Sequence, residues 1–355
     1  MASLHLRPVQ FVDTPIGRDG DVARLADGLQ WFAAYEVIEG GNRRTLSLPE
    51  FDRTLGANDE RAALLHQRIT APRAAWMLGE RTLRFDQPQL AGILNITPDS
   101  FSDGGRHADD PAAAAGVGID MAAAGAAVID LGGESTRPGA TLVWEEDEAR
   151  RIVPVCERLA AAGVLVSVDT RKALVMERAL ASGAAIVNDV SALLWDDRAL
   201  EVVAKSGAPV VLMHSPDPAK GPHAGAGYGD VVTDVYDWLA ARVDAVAAAG
   251  IDRARIMIDP GIGFGKGLAE NLALINGLAM LHGIGCPIML GASRKRMIGA
   301  LSKEAPVGDR LGGSVALALA GAARGVQMLR VHDVAETLQA LRVWRGLRDH
   351  ALSGR

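Results

Sequence analysis

Short apolar runs recur along this chain, separated by longer segments in which apolar residues repeat with the period of a helix. A short apolar run bounded by polar residues is typical of a strand buried on both faces, as in a parallel sheet. Eight such runs are present, at residues 92–95, 128–132, 164–169, 185–189, 209–214, 255–259, 287–293 and 328–332.

The connecting segments predict crossover helices, because they combine helical periodicity with many Ala, Leu, Glu and Arg residues. The clearest are residues 145–162, 171–181, 231–249 and 268–281. Seven connections close with a glycine, the residue that best adopts a left-handed C-cap. These glycines are Gly125, Gly163, Gly183, Gly207, Gly250, Gly285 and Gly325.

Strand and helix alternate strictly over residues 91–350, which is the length of one α/β barrel. The sequence therefore predicts a (β/α)8 TIM barrel over 91–350, preceded by a small N-terminal extension over 1–90. An open doubly wound sheet is the alternative. It would need a glycine-rich dinucleotide turn after its first strand, and no such turn follows Asn95.

The extension lacks the strand and helix alternation of the barrel. Residues 29–38 are consistent with a strand or a short helix, residues 59–69 predict a helix, and residues 76–85 predict a hairpin. Two interpretations of the extension stay open, a small separate cap and an oligomerisation element.

Composition narrows the class of protein. The chain has 355 residues, 49% hydrophobic residues and a net charge of −6, which argues against non-specific nucleic-acid binding. Its N-terminal residues lack the apolar core of a signal peptide, and no apolar run is long enough to cross a bilayer. We therefore expect a cytoplasmic protein whose two cysteines, Cys156 and Cys286, are buried free thiols.

Polar residues follow the apolar runs, where the C-terminal ends of barrel strands would meet at one mouth. Asp169 and Asp259 each end a run, and either could be a structural ion-pair partner. Together with Asn188 and Lys295 they form a set of acceptors and donors that suits a flat heterocycle rich in amino, ring-nitrogen and carbonyl groups.

Cationic residues follow the last two runs. Arg294 and Lys295 come after the seventh, while Arg330 and His332 alternate within the eighth and so point to the same side. These cations could form only a solvent-exposed basic rim with no ligand. Alternatively they form a phosphate-binding site, which is common at this part of such barrels and favours an anionic substrate that carries a diphosphate.

Two other kinds of site share some of these residue types. The glycine-rich residues 259–267 lack the spacing of a phosphate-binding P-loop and predict a tight turn from strand to helix. A hydrolytic metal centre could use His214 and His332, but the first strand ends in Asn95 rather than in a His-x-His pair. That centre stays open as an alternative.

In its motifs the chain resembles the dihydropteroate synthases of folate biosynthesis over residues 91–345. The two longest motifs, GILNITPDSFSDGG at 92–105 and GGESTRPG at 132–139, are similar to the active-site loops of that family. The shorter motifs follow in the family's order, as SVDT at 167–170, NDV at 188–190, IDPGIGFGK at 258–266, SRK at 293–295 and RVH at 330–332.

The resemblance implies a transferase that joins 6-hydroxymethyl-7,8-dihydropterin diphosphate to p-aminobenzoate, with Mg2+ as cofactor and a homodimeric assembly. It implies catalytic roles for Asp169, Lys295 and Arg330. The residues implied to hold or wall the pterin are Asp169, Asn188, Met213, Asp259, Phe264 and Lys295. Those implied for p-aminobenzoate are Phe101, Thr136, Arg137, Pro138 and Ser293. Those implied for the diphosphate are Asn95, Arg137, Arg330, Val331 and His332, with Asn95 as the magnesium ligand.

The chain departs from the family pattern in two places. Residues 215–222 replace a Met-Gln-Gly type segment after His214, and short family members lack the N-terminal extension. The alternatives are a pterin-binding methyltransferase acting between a methylated folate and a corrinoid, and a non-catalytic pterin-binding protein. A methyltransferase would not need the STRPG and RVH motifs, and an idle protein predicts eroded loops, whereas both loops are intact.

Overall fold

A computed structural model of the protein describes residues 4–97, 110–136, 139–223 and 227–353. The chain opens with an antiparallel sheet in which the long strand β3 pairs with the three others. Its strands are β1 (Leu4–Val12), β2 (Ala23–Leu25), β3 (Gln30–Glu39) and β4 (Asn42–Ser47). The helices that follow are α1 (Leu48–Phe51), a π-helical turn (Asp52–Gly56) and α2 (Glu60–Thr70). The predicted helix at 59–69 is confirmed, and residues 29–38 are a strand.

The predicted hairpin is also confirmed, as strands β5 (Trp76–Leu78) and β6 (Arg81–Leu83). Trp76, Leu83 and Phe85 bury their side chains among residues at the N-terminal ends of the barrel strands. The Trp76 indole N–H donates a 2.8 Å hydrogen bond to the Ala254 carbonyl. The hairpin therefore closes the floor of the barrel, opposite the mouth where the strands end.

Eight parallel strands form the predicted barrel, and each pairs with its neighbours in the sheet. They are β7 (Gln89–Asn95), β8 (Val128–Gly132), β9 (Val166–Asp169), β10 (Ile186–Asp189), β11 (Val210–Met213), β12 (Ile256–Asp259), β13 (Met289–Leu290) and β14 (Met328–Val331). A parallel bridge between Ile258 of β12 and Ile288, the residue directly before β13, closes the ring.

Helices surround the barrel at the predicted positions. They are α3 (Pro111–Ala123), α4 (Glu145–Ala161), α5 (Ala173–Ala181), α6 (Ala199–Ser206), α7 (Val231–Ala248), α8 (Leu268–Gly277), α9 (Arg296–Leu301), α10 (Leu311–Ala322) and α11 (Val334–Leu352). Short 3-10 helices lie at Arg253–Arg255, Leu278–Ile284 and Val307–Asp309. All seven predicted C-cap glycines have positive φ, between 67° and 110°.

One helix differs from its prediction. The α-helix expected over 268–281 ends at Gly277, and the chain continues as the 3-10 helix Leu278–Ile284. A Cβ at Gly277 would lie 2.5 Å from Val232 in α7, and one at Gly283 would lie 2.9 Å from the Tyr236 hydroxyl. The segment approaches α7 too closely for side chains at these two positions.

The extension packs on the flank of the barrel, against α7 and the 3-10 helix Leu278–Ile284. His5 Nε2 lies 2.8 Å from an Asp237 carboxylate oxygen in α7. Arg73, which follows α2, is buried and donates to the His282 carbonyl at 3.1 Å. Burial, together with the nearby Arg73 charge, lowers the pKa of His282 to about 3, so this histidine is neutral. Contacts of this kind bind the extension to the barrel as part of one structure.

Two further predictions concern the whole chain. Cys156 and Cys286 are both buried and unpaired, as expected. Within the described ranges, no helix combines the length and the apolar character needed to cross a membrane.

Candidate active site

An arginine held between two aspartates lies in the barrel interior. Arg330 of β14 donates through Nε to Asp130 of β8 at 2.5 Å and through Nη2 to Asp169 of β9 at 2.6 Å. Asp130 is fully buried, and the Asp169 side chain is 11% exposed. Burial raises the pKa of Asp169, the guanidinium of Arg330 lowers it in part, and Asp130 raises it again. Asp169 is thus a carboxylate whose charge depends on its neighbours.

Asp130 was not predicted as a site residue. Besides Arg330 it accepts a hydrogen bond from the Asn188 amide at 3.1 Å, so it connects residues of β10 and β14 across the barrel. The sequence did indicate that Asp130 has such a role, because a carboxylate buried inside an apolar strand needs hydrogen-bond donors as partners. Asp130 therefore orients from below Asn188, predicted to bind the pterin, and Arg330, predicted to bind the diphosphate.

The remaining polar groups of the predicted pterin set lie in the same part of the barrel. Asp259 ends β12 and accepts a 2.7 Å hydrogen bond from the Gly261 backbone N–H. Burial raises its pKa, and the Gly261 N–H, Lys295 and Arg330 oppose that rise. A Cβ at Gly291 would lie 3.5 Å from Asp259 Oδ2 and 3.8 Å from Arg330 Cδ, which places Asp259 next to the arginine.

Apolar walls stand beside these groups. Met213 and Phe264 pack together with Val190, which was not predicted. The Lys295 ammonium lies 4.0 Å from the centre of the Phe264 ring, a cation–π distance. The structure therefore brings together the six residues assigned to the pterin, with an aromatic face next to the polar frame.

The glycine-rich segment after β12 is a tight turn, as predicted. Gly261 has φ 68°, and a Cβ there would lie 1.9 Å from the His214 carbonyl oxygen, so only glycine fits. Lys266 donates to the carbonyls of Gly261 and Phe264, both at 3.0 Å, and these bonds hold the turn. Burial lowers the pKa of Lys266 to about 7, although the Asp259 charge raises it in part.

The segments after β13 and β14 bring together Ser293, assigned to p-aminobenzoate, and His332, assigned to the diphosphate. Ser293 Oγ lies 3.0 Å from His332 Nδ1 and accepts a hydrogen bond from the His332 backbone N–H at 3.2 Å. Val331 packs its side chain in the hydrophobic core, so it can offer a ligand only its backbone. Arg294 has a positive φ of 56°. Its guanidinium forms a structural ion pair with Asp333, so the charge of Arg294 is neutralised within the protein.

Asn95 ends β7 at the mouth, with its side-chain oxygen 3.1 Å from the position that a Cβ of Gly132 would take. No group of three His, Cys, Asp or Glu side chains within the described parts of the chain could hold a metal ion together. The suggested hydrolytic centre is thus not formed by these residues. His214 is instead buried beside Trp238, with ring centres 5.0 Å apart. Burial lowers the pKa of His214 to about 3, and the Lys266 charge adds to the effect.

Three predicted residues, Phe101, Arg137 and Pro138, lie outside the described residues. Thr136 of the second loop is described, and its backbone carbonyl lies 2.9 Å from His223 Nε2. Of the p-aminobenzoate set, Thr136 and Ser293 can therefore be placed at the mouth.

Comparison with known proteins agrees with this geometry. The family model described as pterin binding enzyme matches residues 91–332. The dihydropteroate synthase of Neisseria meningitidis serogroup B is 44% identical over 280 residues, covering 78% of this chain and 98% of that protein.

Solved structures of dihydropteroate synthases also match this chain. Xanthomonas albilineans dihydropteroate synthase with 4-aminobenzoic acid is 47% identical with a TM-score of 0.72, covering 77% of this chain and 98% of that one. Yersinia pestis dihydropteroate synthase in a sulfonamide drug complex is 42% identical with a TM-score of 0.73, covering 78% of this chain and all of that one. The chain belongs to the dihydropteroate synthase family of pterin-binding enzymes.

Proposed function

We propose that this enzyme condenses 6-hydroxymethyl-7,8-dihydropterin diphosphate with p-aminobenzoate to give 7,8-dihydropteroate and pyrophosphate. The observation that carries the proposal is the frame of Asp169, Asn188, Asp259 and Lys295 beside the Phe264 ring. Its carboxylates accept hydrogen bonds from adjacent ring and amino N–H groups, and its amide and ammonium donate to ring nitrogen and carbonyl groups. The apolar wall gives the flat ring a surface on which to stack.

The reaction proceeds by loss of the leaving group followed by attack of the amine. The bond between the pterin methylene carbon and the diphosphate oxygen breaks, and both electrons leave with the oxygen. Asp169 stabilises the cationic methylene that remains, because a preorganised carboxylate in a buried site interacts strongly with a developing positive charge. The aniline nitrogen then donates its lone pair to the methylene carbon to form the C–N bond, and its proton passes to the solvent.

Arg330 has a second role in this scheme. In the structure its guanidinium is held between Asp130 and Asp169, so it enters the reaction already oriented. Together with His332 at the mouth, its N–H groups that do not face the two aspartates offer hydrogen bonds to the diphosphate as that group departs. Bidentate arginine contacts suit phosphate oxygens for the same geometric reason that they suit carboxylates.

The donor set at the mouth fits a magnesium ion bound mainly through the substrate. Mg2+ prefers oxygen ligands, keeps several waters and often uses substrate phosphates rather than an all-protein cage. Asn95 offers one amide oxygen at this position and would hold the ion there. When bound, the ion would supply charge neutralisation for the diphosphate.

The p-aminobenzoate subsite is proposed at the mouth, at Thr136 and Ser293 together with Phe101, Arg137 and Pro138. The X. albilineans relative was solved with 4-aminobenzoic acid, which supports the same ligand here. A cytoplasmic location and a homodimer remain predictions from composition and family resemblance.

The defining experiment incubates the purified protein with the pterin diphosphate, p-aminobenzoate and magnesium. We expect dihydropteroate and pyrophosphate in equal amounts, and no product once EDTA has removed the metal. Product formation should return when magnesium is added back in excess. Methyl transfer from methyltetrahydrofolate without release of pyrophosphate would contradict the proposed function.

Sulfonamides are expected to inhibit competitively with p-aminobenzoate, because they present the same aniline and a similar anionic head. Exclusion of the bulkier drug would require an added steric element, and the two loop motifs contain no insertion that could provide one. Initial rates at several p-aminobenzoate concentrations with sulfamethoxazole test this. Unchanged rates at saturating drug and low p-aminobenzoate would show that the drug is excluded.

A further inference from the structure

His223 lies between the two proposed substrate subsites. It belongs to the connection between β11 and α7, directly after the segment 215–222 that departs from the family pattern. Its imidazole stacks on the Phe264 ring, with ring centres 5.1 Å apart and planes inclined by 21°. Its Nε2 lies 2.9 Å from the backbone carbonyl of Thr136. One side chain therefore contacts both the pterin wall and the loop that follows β8.

The chemistry of these contacts defines what His223 does. A backbone carbonyl can only accept a hydrogen bond, so His223 Nε2 must carry the proton and donate. The same imidazole covers Phe264, whose ring also meets the Lys295 ammonium at 4.0 Å. The Phe264 ring thus contacts both a cation and an imidazole.

We propose that His223 is a positioning residue that sets the p-aminobenzoate subsite at the right distance from the pterin slot. Its hydrogen bond holds Thr136 in place, and its ring holds Phe264 in place. The amine must reach a single methylene carbon, so the relative placement of the two subsites matters for the rate. This inference rests on the proposed function.

Two substitutions separate the two contacts. His223→Phe keeps an aromatic ring on Phe264 but has no donor for the Thr136 carbonyl. We expect it to raise the KM for p-aminobenzoate about fivefold, the effect of one neutral hydrogen bond, and to change the KM for the pterin diphosphate much less. His223→Gln keeps an amide donor but has no ring, so we expect the reverse pattern, with an increase of about two- to tenfold in the KM for the pterin.

A matched control lies in the same connection. Lys220 has a side chain that is 79% exposed and forms an ion pair with Asp217. Lys220→Ala is expected to leave both KM values unchanged. Thermal unfolding of each variant should match the wild type, which separates positioning from a loss of folded enzyme.

The KM, kcat and thermal-stability values of these variants decide whether His223 has the proposed positioning role. A crossed pattern of KM changes in the phenylalanine and glutamine variants supports the inference. Unchanged KM values in both variants, or an equal loss of kcat and thermal stability with KM unchanged, would overturn it. If the wild type itself makes no dihydropteroate, it is the proposed function that fails, whereas active wild type with insensitive His223 variants rejects the positioning role alone.

Discussion

Asp169→Asn is expected to lower turnover by about a hundredfold or more while leaving the barrel folded. Asparagine keeps the shape of the side chain and removes the charge that faces the cationic methylene. In the structure the lost charge also pairs with Arg330 at 2.6 Å, so the arginine would retain only Asp130. Steady-state kcat and a thermal melt of the same preparation measure the two effects separately.

The dependence of activity on pH gives a second test of the role of the Asp169 carboxylate. Burial raises the pKa of Asp169, and a protonated Asp169 cannot stabilise a cation. At limiting pterin diphosphate, wild-type activity should therefore be present above this raised pKa and fall as the pH drops through it. Asp169→Asn should not show that fall. The control is Asp244→Asn on α7, where the side chain is 65% exposed, and this variant should keep the wild-type rate and profile. Near-normal turnover of Asp169→Asn would refute the electrostatic role.

Trp76→Ala is expected to destabilise the protein by about 3–5 kcal/mol, the range typical of removing a buried large aromatic side chain. Trp76 is 4% exposed, packs edge-on against Phe85 at 5.1 Å and closes the barrel floor. The substitution also leaves the Ala254 carbonyl without its indole donor. Urea unfolding followed by circular dichroism measures the change.

The adjacent residue of the same strand provides the control. Met77 is 65% exposed, so Met77→Ala should change the free energy of unfolding by no more than about 0.5 kcal/mol. Equal shifts of the unfolding midpoint in the two variants would show that the hairpin does not act as a floor. A large loss for Trp76→Ala alone would make residues 76–85 a structural part of the barrel rather than of the extension.

The barrel could be predicted because its signals are local. Each buried strand is an apolar run, and each helix end carries a glycine whose positive φ a side chain would disfavour. The extension was harder to predict, because β1 pairs with β3 between residues that are 19 to 35 positions apart, from Val12 with Trp31 to Leu4 with Glu39. There the helix α2 and the hairpin of β5 and β6 were predicted correctly, and residues 29–38, left open between a strand and a short helix, are the strand β3.

In the candidate site, too, some features could be predicted from the sequence and others could not. Asp169, Asn188, Asp259 and Lys295 follow strand ends, and all strands of a parallel barrel end at one mouth, so their proximity follows from the fold class. Asp130 meets Arg330 across a separation of 200 residues, which no local pattern records. Arg294 and Lys295 are neighbours in sequence, yet Arg294 turns to Asp333 while Lys295 faces Phe264.

By itself, the sequence determined the barrel, the set of polar groups at its mouth and the class of ligand they suit, because composition and periodicity act over a few residues at a time. Tertiary structure alone decided which charges neutralise each other and which residue joins the two subsites. Arg330 is held by two aspartates, and His223 reaches both Thr136 and Phe264. These contacts depend on closure of the ring and on loop conformation, which bring together atoms that no spacing along the chain relates.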